Sequence, residues 1–337
     1  MIVKVKPKAS QESIDRLLLH LNEAGFDIHP SIGQNTTLYG VIGDTAKFDA
    51  NSLMAFECVE SVVRIQSPYK QVSRSIQPEN SIIDVSGVKF GGNEVVMIAG
   101  PCAIESREQL DRIAAQVKTS GATMLRGGAF KPRTSPYSYQ GMGEEGLQLL
   151  QEIGRKYQMP VVSELVDAND LPLFEQYVDM IQVGARNMQN FALLKELGKS
   201  TKPILLKRGF SNTIEEWLMS AEYIFAGGNS NIVLCERGIR TFEKATRSTL
   251  DVSSVPVVKA ASHLPVIVDP SHAAGKWDLV EPLALAGLAA GADGLIIEVH
   301  DDPEQAMSDG AQSLKPHKFE STMKKRRLIA KALNRSM

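Results

Sequence analysis

Residues 125–135 combine the side-chain types that bind anions, and they read Leu-Arg-Gly-Gly-Ala-Phe-Lys-Pro-Arg-Thr-Ser. An apolar start predicts a short strand that runs into a polar loop. Its cations are Arg126, Lys131 and Arg133, and its hydroxyls are Thr134 and Ser135. Such groups suit a phosphate or a carboxylate, and the glycines are expected to bring the backbone close to that ligand. A solvated basic loop is the alternative reading of this segment alone.

Three further cations, Arg186, Lys207 and Arg237, also follow short apolar runs. Taken singly, each of these six cations reads as a surface charge or an ion-pair partner. Placed together on one rim they would repel one another unless anions lay between them. The group therefore suggests a site for more than one phosphate or carboxylate.

A second group of residues offers metal-type donors at similar positions. It comprises Cys102, His272, Glu298 and, in the loop 308–310, Asp309. Sulfur, nitrogen and oxygen donors together suit a divalent transition metal. The spacing is not that of a zinc finger, however, and a core cysteine and a hydrogen-bonded structural histidine remain the alternatives.

The elements that must position these groups alternate between apolar strands and amphipathic helices. The predicted strands are 95–99, 124–127, 161–165, 180–184, 204–207, 232–236, 266–269 and 295–299. Eight such units predict an α/β fold, a (β/α)₈ TIM barrel, whose reactive groups gather at the carboxyl ends of the strands. A doubly wound open sheet is the alternative, but no glycine-rich dinucleotide fingerprint follows the first strand. A polar or charged group at every strand end favours an enzyme.

The first part of the chain reads as a separate module. Residues 1–66 show a βαββαβ order, typical of a ferredoxin-like domain. A turn around residues 33–35 joins the second and third strands, and the last strand is predicted at 61–65. Residues 67–80 read as a linker, and 81–337 as the barrel preceded by a hairpin at 82–90. Within the module, Asp27, His29 and Ser31 alternate along one strand, as candidate contacts for an effector or as an ordinary exposed face.

Composition limits the functions that need to be considered. The chain has 337 residues and a formal net charge of −2, with a pI of about 6.3, so nucleic acid and membrane surfaces are not indicated as partners. No apolar run is long enough to span a bilayer, and the N-terminus lacks the apolar core of a signal peptide. Three cysteines argue against a disulfide framework and favour the cytoplasm.

Seven motifs in order give the chain a family resemblance over essentially its full length. They are 99–102 (AGPC), 126–135 (RGGAFKPRTS), 184–187 (GARN), 206–209 (LKRG), 235–238 (CERG), 269–272 (DPSH) and 297–300 (IEVH). The chain resembles 3-deoxy-D-arabino-heptulosonate 7-phosphate synthases of the subtype with an N-terminal ferredoxin-like regulatory domain. The resemblance implies a transferase that condenses phosphoenolpyruvate, erythrose 4-phosphate and water, releasing phosphate, at the start of the shikimate pathway.

The resemblance also implies residue roles. Cys102, His272, Glu298 and Asp309 would bind one divalent metal, such as Mn²⁺, Fe²⁺, Zn²⁺ or Co²⁺. Arg126, Lys131 and Lys207 would hold the phosphoenolpyruvate carboxylate, and Ala185 (through its N–H), Arg186 and Arg237 its phosphate. Arg133, Thr134 and Ser135 would hold the phosphate of erythrose 4-phosphate. Lys131, Cys102 and His272 are the expected catalytic residues. Cys102 is expected to be a thiolate, favoured by the metal and by surrounding positive charge.

Regulation and assembly are implied in the same way. The resemblance predicts a homotetramer and feedback inhibition by an aromatic amino acid, tyrosine or phenylalanine, through the small domain. The nearest alternative is 3-deoxy-D-manno-octulosonate 8-phosphate synthase, which uses arabinose 5-phosphate. Pro132 argues against it, since that enzyme resembles Lys-Ala-Asn-Arg-Ser in this loop. An alternative of a different class is a non-catalytic barrel that senses amino acids.

Overall fold

A computed structural model describes residues 1–33, 36–43, 45, 48–63, 68–133 and 135–336. The chain forms two compact units, Met1–Glu79 with Ala261–His263, and Asn80–Ala260 with Leu264–Met337. The first unit thus takes in most of the segment read as a linker, of which Ser67 lies outside the described residues. None of the described helices is long and apolar enough to cross a membrane.

The first unit has the predicted ferredoxin-like fold. Its strands are β1 (Ile2–Val5), β2 (Asp27–Ile32), β3 (Thr37–Ile42) and β4 (Val59–Val63), and its helices are α1 (Gln11–Glu23) and a 3-10 helix (Ala50–Ala55). The strands form an antiparallel sheet in the order β2-β3-β1-β4. The predicted turn around Gln34 and Asn35, and the last two residues of the strand predicted at 61–65, lie outside the described residues.

Local sequence explains how α1 forms and packs. The Ser10 hydroxyl accepts a hydrogen bond from the Ser13 backbone N–H at 3.3 Å, which satisfies one of the free N–H groups of the first turn. Leu17 and Leu21, one helical turn apart, are completely buried. They pack with Val3 on β1 in the core of this unit.

The second unit begins with a hairpin that packs against the barrel interior. Its strands are β5 (Ile83–Val85) and β6 (Val88–Phe90). Phe90 and Val85 are fully buried and lie in one cluster with Val96 and Ile98 at the start of the first barrel strand. The hairpin therefore supplies apolar side chains to the amino-terminal end of the barrel core.

Eight parallel strands close the barrel, which excludes the doubly wound open sheet. The strands are β7 (Val96–Gly100), β8 (Met124–Arg126), β9 (Val161–Leu165), β10 (Met180–Val183), β11 (Ile204–Lys207), β12 (Ile232–Glu236), β13 (Val266–Val268) and β14 (Gly294–Glu298). Each predicted strand is confirmed to within one residue at either end. Nearly every strand residue is buried, because the helices cover the outer face and the core fills the inner one.

The helices of this unit follow the strands along the chain. They are α2 (Arg107–Thr119), α3 (Glu144–Lys156), α4 (Leu171–Tyr177), α5 (Phe191–Leu197), α6 (Ile214–Ala226), α7 (Ser254–Ala261), α8 (Pro270–Ala274), α9 (Trp277–Ala289) and α10 (Pro316–Ala332). Because all strands run in the same direction, their carboxyl ends meet at one face of the barrel. The sequence-predicted polar groups are brought to that face.

Candidate active site

Four metal-type donors meet at the carboxyl ends of the strands, as the sequence predicts. Cys102 follows β7, Glu298 ends β14, His272 lies on α8 directly after β13, and Asp309 lies in the loop after β14. Cys102 Sγ is 3.5 Å from Asp309 Oδ2. His272 Nε2 is 3.5 Å from Glu298 Oε1 and 4.0 Å from Asp309 Oδ2. We call these four residues the donor cluster.

Three of the four donors are held in the protonation state that a metal requires. Burial lowers the pKa of His272, which keeps the imidazole neutral at neutral pH. Burial acts to raise the pKa of Glu298, but His272 and Arg126 outweigh it and the pKa is lowered. The pKa of Asp309 is lowered in the same way, by His272 and Arg247. Both carboxylates are therefore ionised.

Cys102 is the donor whose protonation depends on the metal. Burial raises the pKa of its thiol to about 12 in the metal-free chain, and Glu298 adds to the rise while Lys131 opposes it. Without the metal, the surrounding cations do not outweigh burial and the adjacent carboxylate, and the thiolate expected in the metal-bound site stays a prediction. Lys131 nevertheless lies close, with its Nζ atom 3.1 Å from Cys102 Sγ. The thiol proton must leave when a metal binds.

Asp269 orients His272, one residue of the donor cluster, through the ring nitrogen that does not face the other donors. Its Oδ2 atom lies 2.7 Å from His272 Nδ1. The same oxygen lies 2.5 Å from Lys207 Nζ. Burial acts to raise the pKa of Asp269, but His272 and Lys207 outweigh it and hold the pKa well below its usual range. Asp269 thus stays ionised and turns His272 Nε2 towards the other donors.

The loop that carries Asp309 has an unusual backbone. Asp309 adopts a left-handed conformation with φ of 51°, which aspartate tolerates better than most residues. The next residue must be glycine, since a Cβ atom on Gly310 would lie 2.0 Å from the Pro303 carbonyl oxygen. Ser308 adds a contact from its hydroxyl to Cys102 Sγ at 3.1 Å. The loop therefore holds the Asp309 carboxylate at a defined place.

The donor cluster fits a divalent transition metal. Cys102, Glu298 and Asp309 each place a donor atom so that all lie within 4.8 Å of one another. Glu298 Oε1 is buried and contacts Arg126 NH2 at 3.1 Å, but it accepts no hydrogen bond from the described residues. A buried carboxylate oxygen without a hydrogen bond is costly, and a bound metal ion would give it a direct ligand contact. Sulfur, nitrogen and oxygen ligands together are typical of borderline metals such as Mn²⁺, Fe²⁺, Co²⁺ and Zn²⁺.

A cationic cavity adjoins the donor cluster, and His272 and Asp309 form part of its wall. Its cations are Lys131, Arg133, Arg186, Lys207, Arg237 and Arg247. The sequence predicted the first five of them. Like charges at this density are unfavourable without counter-ions, so the cavity is suited to anionic ligands.

Two arginines keep buried donors without partners in the described structure. Arg126 is 6% exposed and contacts Glu298 Oε1 through NH2 at 3.1 Å, but its Nε and NH1 atoms have no hydrogen bond. Arg133 donates from Nε to the Tyr139 carbonyl at 3.1 Å, and its buried NH2 is unpaired. Unsatisfied buried guanidinium groups are expensive, so these donors point to bound anions.

Arg237 is fixed more firmly than the other cations of the cavity. It is 2% exposed, donates to Ser248 Oγ at 2.9 Å and to the His272 carbonyl at 3.2 Å, and stacks on Phe210 at 5.1 Å. Ala185 begins a 3-10 turn whose preceding residue provides no side-chain cap. That residue is Gly184, which has no side chain to accept a hydrogen bond from the free N–H groups of the turn.

The other residues of segment 125–135 differ in how their positions compare with the predicted anion site. Thr134 lies outside the described residues. Ser135 accepts a hydrogen bond from the Tyr137 N–H at 3.3 Å within the same loop and does not line the cavity. A Cβ atom on Gly128 would lie 2.6 Å from the Cys102 carbonyl oxygen. Gly128 thus makes room for the Cys102 loop, and the expectation that the glycines bring the backbone close to a ligand stays a prediction.

Arg247 and Gln312 are site residues that sequence reasoning missed. Gln312 donates from Nε2 to Glu298 Oε2 at 2.6 Å. It accepts from Arg247 NH1 at 2.8 Å. Arg247 lies in an irregular segment between β12 and α7, where no strand end marked it. Gln312 had a weak signal, because it lies three residues beyond Asp309.

The candidate effector residues lie where the sequence placed them. Asp27, His29 and Ser31 alternate along β2, the edge strand of the small sheet. Asp27 and His29 are exposed and Ser31 is half-buried. This placement leaves both readings of that face open.

The closed barrel and the donor cluster at its carboxyl-terminal face define a (β/α)₈-barrel enzyme. Comparison with known families gives a narrower assignment. Residues 72–333 match the model of the DAHP synthetase I family, where DAHP stands for 3-deoxy-D-arabino-heptulosonate 7-phosphate. Residues 1–67 match the model of the DAHP synthase ferredoxin-like domain. The chain belongs to the DAHP synthetase I family.

Individual relatives include a heptonate aldolase, which is more similar to the chain, and an octonate aldolase, which is less similar. The chain is 51% identical over 333 residues to a phospho-2-dehydro-3-deoxyheptonate aldolase of Thermotoga maritima, covering 99% of this chain and 98% of that protein. A crystal structure of such an aldolase (DAHP synthase) from Thermotoga maritima aligns with a TM-score of 0.80 at 50% identity, covering 99% of this chain and 98% of that one. A 2-dehydro-3-deoxyphosphooctonate aldolase of Syntrophobacter fumaroxidans is 32% identical over 249 residues, covering 68% of this chain and 85% of that protein.

Proposed function

We propose that the protein condenses phosphoenolpyruvate with D-erythrose 4-phosphate and water to give 3-deoxy-D-arabino-heptulosonate 7-phosphate and phosphate, the first step of the shikimate pathway. The observation that carries this proposal is the position of a cavity with six cations directly beside the donor cluster. Two phosphates and one carboxylate need that much positive charge. The 51% identity to a heptonate aldolase supports the same choice.

Phosphoenolpyruvate is assigned to the part of the cavity at Lys131 and Lys207, beside a smaller pocket that Lys131 and Arg126 both line. Arg126, Lys131 and Lys207 hold its carboxylate, and the unpaired Nε and NH1 atoms of Arg126 support this role. The Ala185 N–H, Arg186 and Arg237 hold its phosphate. Arg237 suits this task because its contacts to Ser248 and His272 fix the guanidinium before the ligand arrives.

Erythrose 4-phosphate is assigned to the side of the cavity formed by the loop after β8. Its phosphate is held by Arg133, Thr134 and Ser135. The unpaired Arg133 NH2 supports the first of these assignments. For Ser135, the loop would have to turn its hydroxyl away from the Tyr137 N–H.

Cys102, His272, Glu298 and Asp309 hold one divalent metal, which when bound supplies Lewis-acid polarisation of the aldehyde carbonyl. Lys131 is the proton donor to the aldehyde oxygen. Burial acts to lower the pKa of Lys131, but nearby acidic groups, including Glu298 and Glu164, outweigh it and the pKa is raised. The ammonium form therefore persists at neutral pH and can donate to the forming alkoxide.

The bonding changes follow from this arrangement. The enol carbon C3 of phosphoenolpyruvate attacks the aldehyde carbon, and Lys131 protonates the resulting alkoxide. Water adds to the electron-deficient C2 and gives up a proton, which restores the ammonium form of Lys131. The C2–O bond then breaks to form the ketone, and the remaining hydroxyl proton leaves with the released phosphate. Arginine and lysine contacts at both ends of the substrates hold the two reacting carbons close together.

We also propose that an aromatic amino acid, tyrosine or phenylalanine, inhibits the enzyme by binding to the first unit. The match of residues 1–67 to a DAHP synthase ferredoxin-like domain supports a regulatory role. Asp27, His29 and Ser31 are the candidate contacts. The family resemblance further suggests a homotetramer in the cytoplasm, which light scattering and fractionation would test.

The choice of sugar phosphate tests the proposal directly. Phosphate release should be fast with erythrose 4-phosphate and slow with arabinose 5-phosphate, and a chelator should abolish it until Mn²⁺ is restored. A faster reaction with arabinose 5-phosphate would instead favour an octulosonate synthase. No phosphate release with either sugar, in protein that binds Mn²⁺, would favour a non-catalytic sensor.

A further inference from the structure

Both carboxylates of the donor cluster are held by their outer oxygens. Glu298 turns Oε1 towards His272, and its Oε2 accepts a hydrogen bond from Gln312 Nε2 at 2.6 Å. Asp309 turns Oδ2 towards Cys102, and its Oδ1 lies 3.4 Å from Arg247 NH1. Gln312 and Arg247 thus act on the two carboxylates from the side opposite the donors.

Chemistry fixes the orientation of the Gln312 amide. A carboxylate only accepts hydrogen bonds and a guanidinium only donates them. The amide nitrogen must therefore face Glu298, and the amide oxygen must face Arg247, whose NH1 donates to it at 2.8 Å. Gln312 is 2% exposed, so water cannot easily replace either bond.

Arg247 belongs to both parts of the site. It lines the cationic cavity, and its side chain is 42% exposed. Its charge acts on Arg237, where burial and Arg247 both lower the pKa of the guanidinium. Because Arg237 and Arg247 repel each other, the binding of an anion near both of them is favourable.

Building on the proposed function, we propose that Arg247 and Gln312 form a relay that couples anion binding in the cavity to metal binding at the donor cluster. Arg247 is an anion-binding residue, and Gln312 is a positioning residue that acts through Glu298. In the anion-free chain, the positive charge of Arg247 partly neutralises the Asp309 carboxylate. An anion that pairs with Arg247 weakens this interaction, and both carboxylates then bind a cation more strongly.

Coupling of this kind must be reciprocal. Phosphate should raise the affinity for the metal, and the metal should raise the affinity for phosphate by the same factor. Couplings between sites typically amount to about 5- to 150-fold. The expected coupling factor for Mn²⁺ and inorganic phosphate is about tenfold.

The test uses the full-length chain stripped of metal, with Mn²⁺ and inorganic phosphate as probes. Free Mn²⁺ is followed by electron paramagnetic resonance with and without saturating phosphate, after correction for binding of phosphate to Mn²⁺ in solution. The near-isosteric Gln312→Met should weaken Mn²⁺ binding by about 10- to 100-fold, as other losses of a ligand's supporting contact do. It should also reduce the coupling factor, because the branch through Glu298 is lost while the Arg247–Asp309 contact remains, and phosphate affinity without metal should stay unchanged.

Gln182 provides a matched control. It is also buried, at 4% exposure, and its Nε2 donates to a carboxylate outside the donor cluster, Glu164, at 2.9 Å. Gln182→Met should keep the wild-type Mn²⁺ affinity and coupling factor. An equal loss in this variant would overturn the relay, because any buried glutamine would then have the same effect.

Arg247→Met tests the other end of the relay and does not depend on a buried change. It should weaken phosphate binding in the metal-free chain and remove the coupling. Coupling retained in both Arg247→Met and Gln312→Met would show that phosphate and metal interact directly and would overturn the relay. Turnover with erythrose 4-phosphate is measured separately, so an active chain without coupling refutes the relay alone.

Discussion

The structure predicts that metal binding releases a single proton, from Cys102. Burial raises the pKa of this thiol to about 12 in the metal-free chain, so it is protonated throughout the physiological range. The pKa of His272 is lowered by burial, which leaves the imidazole neutral. The pKa values of Glu298 and Asp309 are lowered by nearby positive charge that outweighs burial. Above about pH 6.5, the unperturbed pKa of histidine, only the thiol must change state.

The magnitude follows from this count. One proton released per metal makes the apparent Kd fall about tenfold for each pH unit. Between pH 6.5 and 8.5 the gain is about 2.7 kcal/mol. The sign is fixed, because rising pH favours the thiolate that binds the metal.

Calorimetric titration of the stripped chain with Mn²⁺, in buffers of different ionisation enthalpy, measures the proton count. We expect one proton per metal in the wild type. Cys102→Ser should bind more weakly and lose the pH dependence, because the serine hydroxyl keeps its proton. No proton release in the wild type, or an unchanged pH slope in Cys102→Ser, would refute the reasoning.

Four other predictions concern the site, the fold and regulation. Lys131→Met should lower kcat by about 10²- to 10⁴-fold in the phosphate-release assay, because the proton donor is lost, and an unchanged kcat would exclude that role. Gly310→Ala places a Cβ atom 2.0 Å from the Pro303 carbonyl oxygen and should cost about 1–3 kcal/mol of stability in urea unfolding, with weaker Mn²⁺ binding. Phe90→Ala, at a fully buried position, should cost about 3–5 kcal/mol without changing KM. Deleting residues 1–66 should leave an active enzyme that tyrosine no longer inhibits, and retained inhibition would exclude control through the first unit.

The barrel was predictable because its strands are buried on both faces. Such strands read as short apolar runs that end abruptly at polar groups, and this pattern located β12 and β14 together with Arg237 and Glu298. The donor cluster was predictable for the same reason. The carboxyl ends of parallel strands must meet, whatever their separation along the chain.

Contacts between irregular segments could not be predicted from spacing. Arg247 and Gln312 meet only because two loops without strands fold over the same edge of the barrel. The protonation of Cys102 depends on how completely its neighbours bury it, and a list of nearby cations does not give that. The close packing of Gly128 against the Cys102 carbonyl is contributed by a different strand end, so the segment alone did not reveal it.

The most direct test of the central claim uses phosphoenolpyruvate labelled with ¹⁸O at the bridging oxygen, together with erythrose 4-phosphate and Mn²⁺. Mass spectrometry identifies both products. Our account predicts a seven-carbon sugar acid phosphate without the label and inorganic phosphate that carries it, because the C2–O bond breaks. Label retained in the sugar, or the absence of a seven-carbon product, would contradict it.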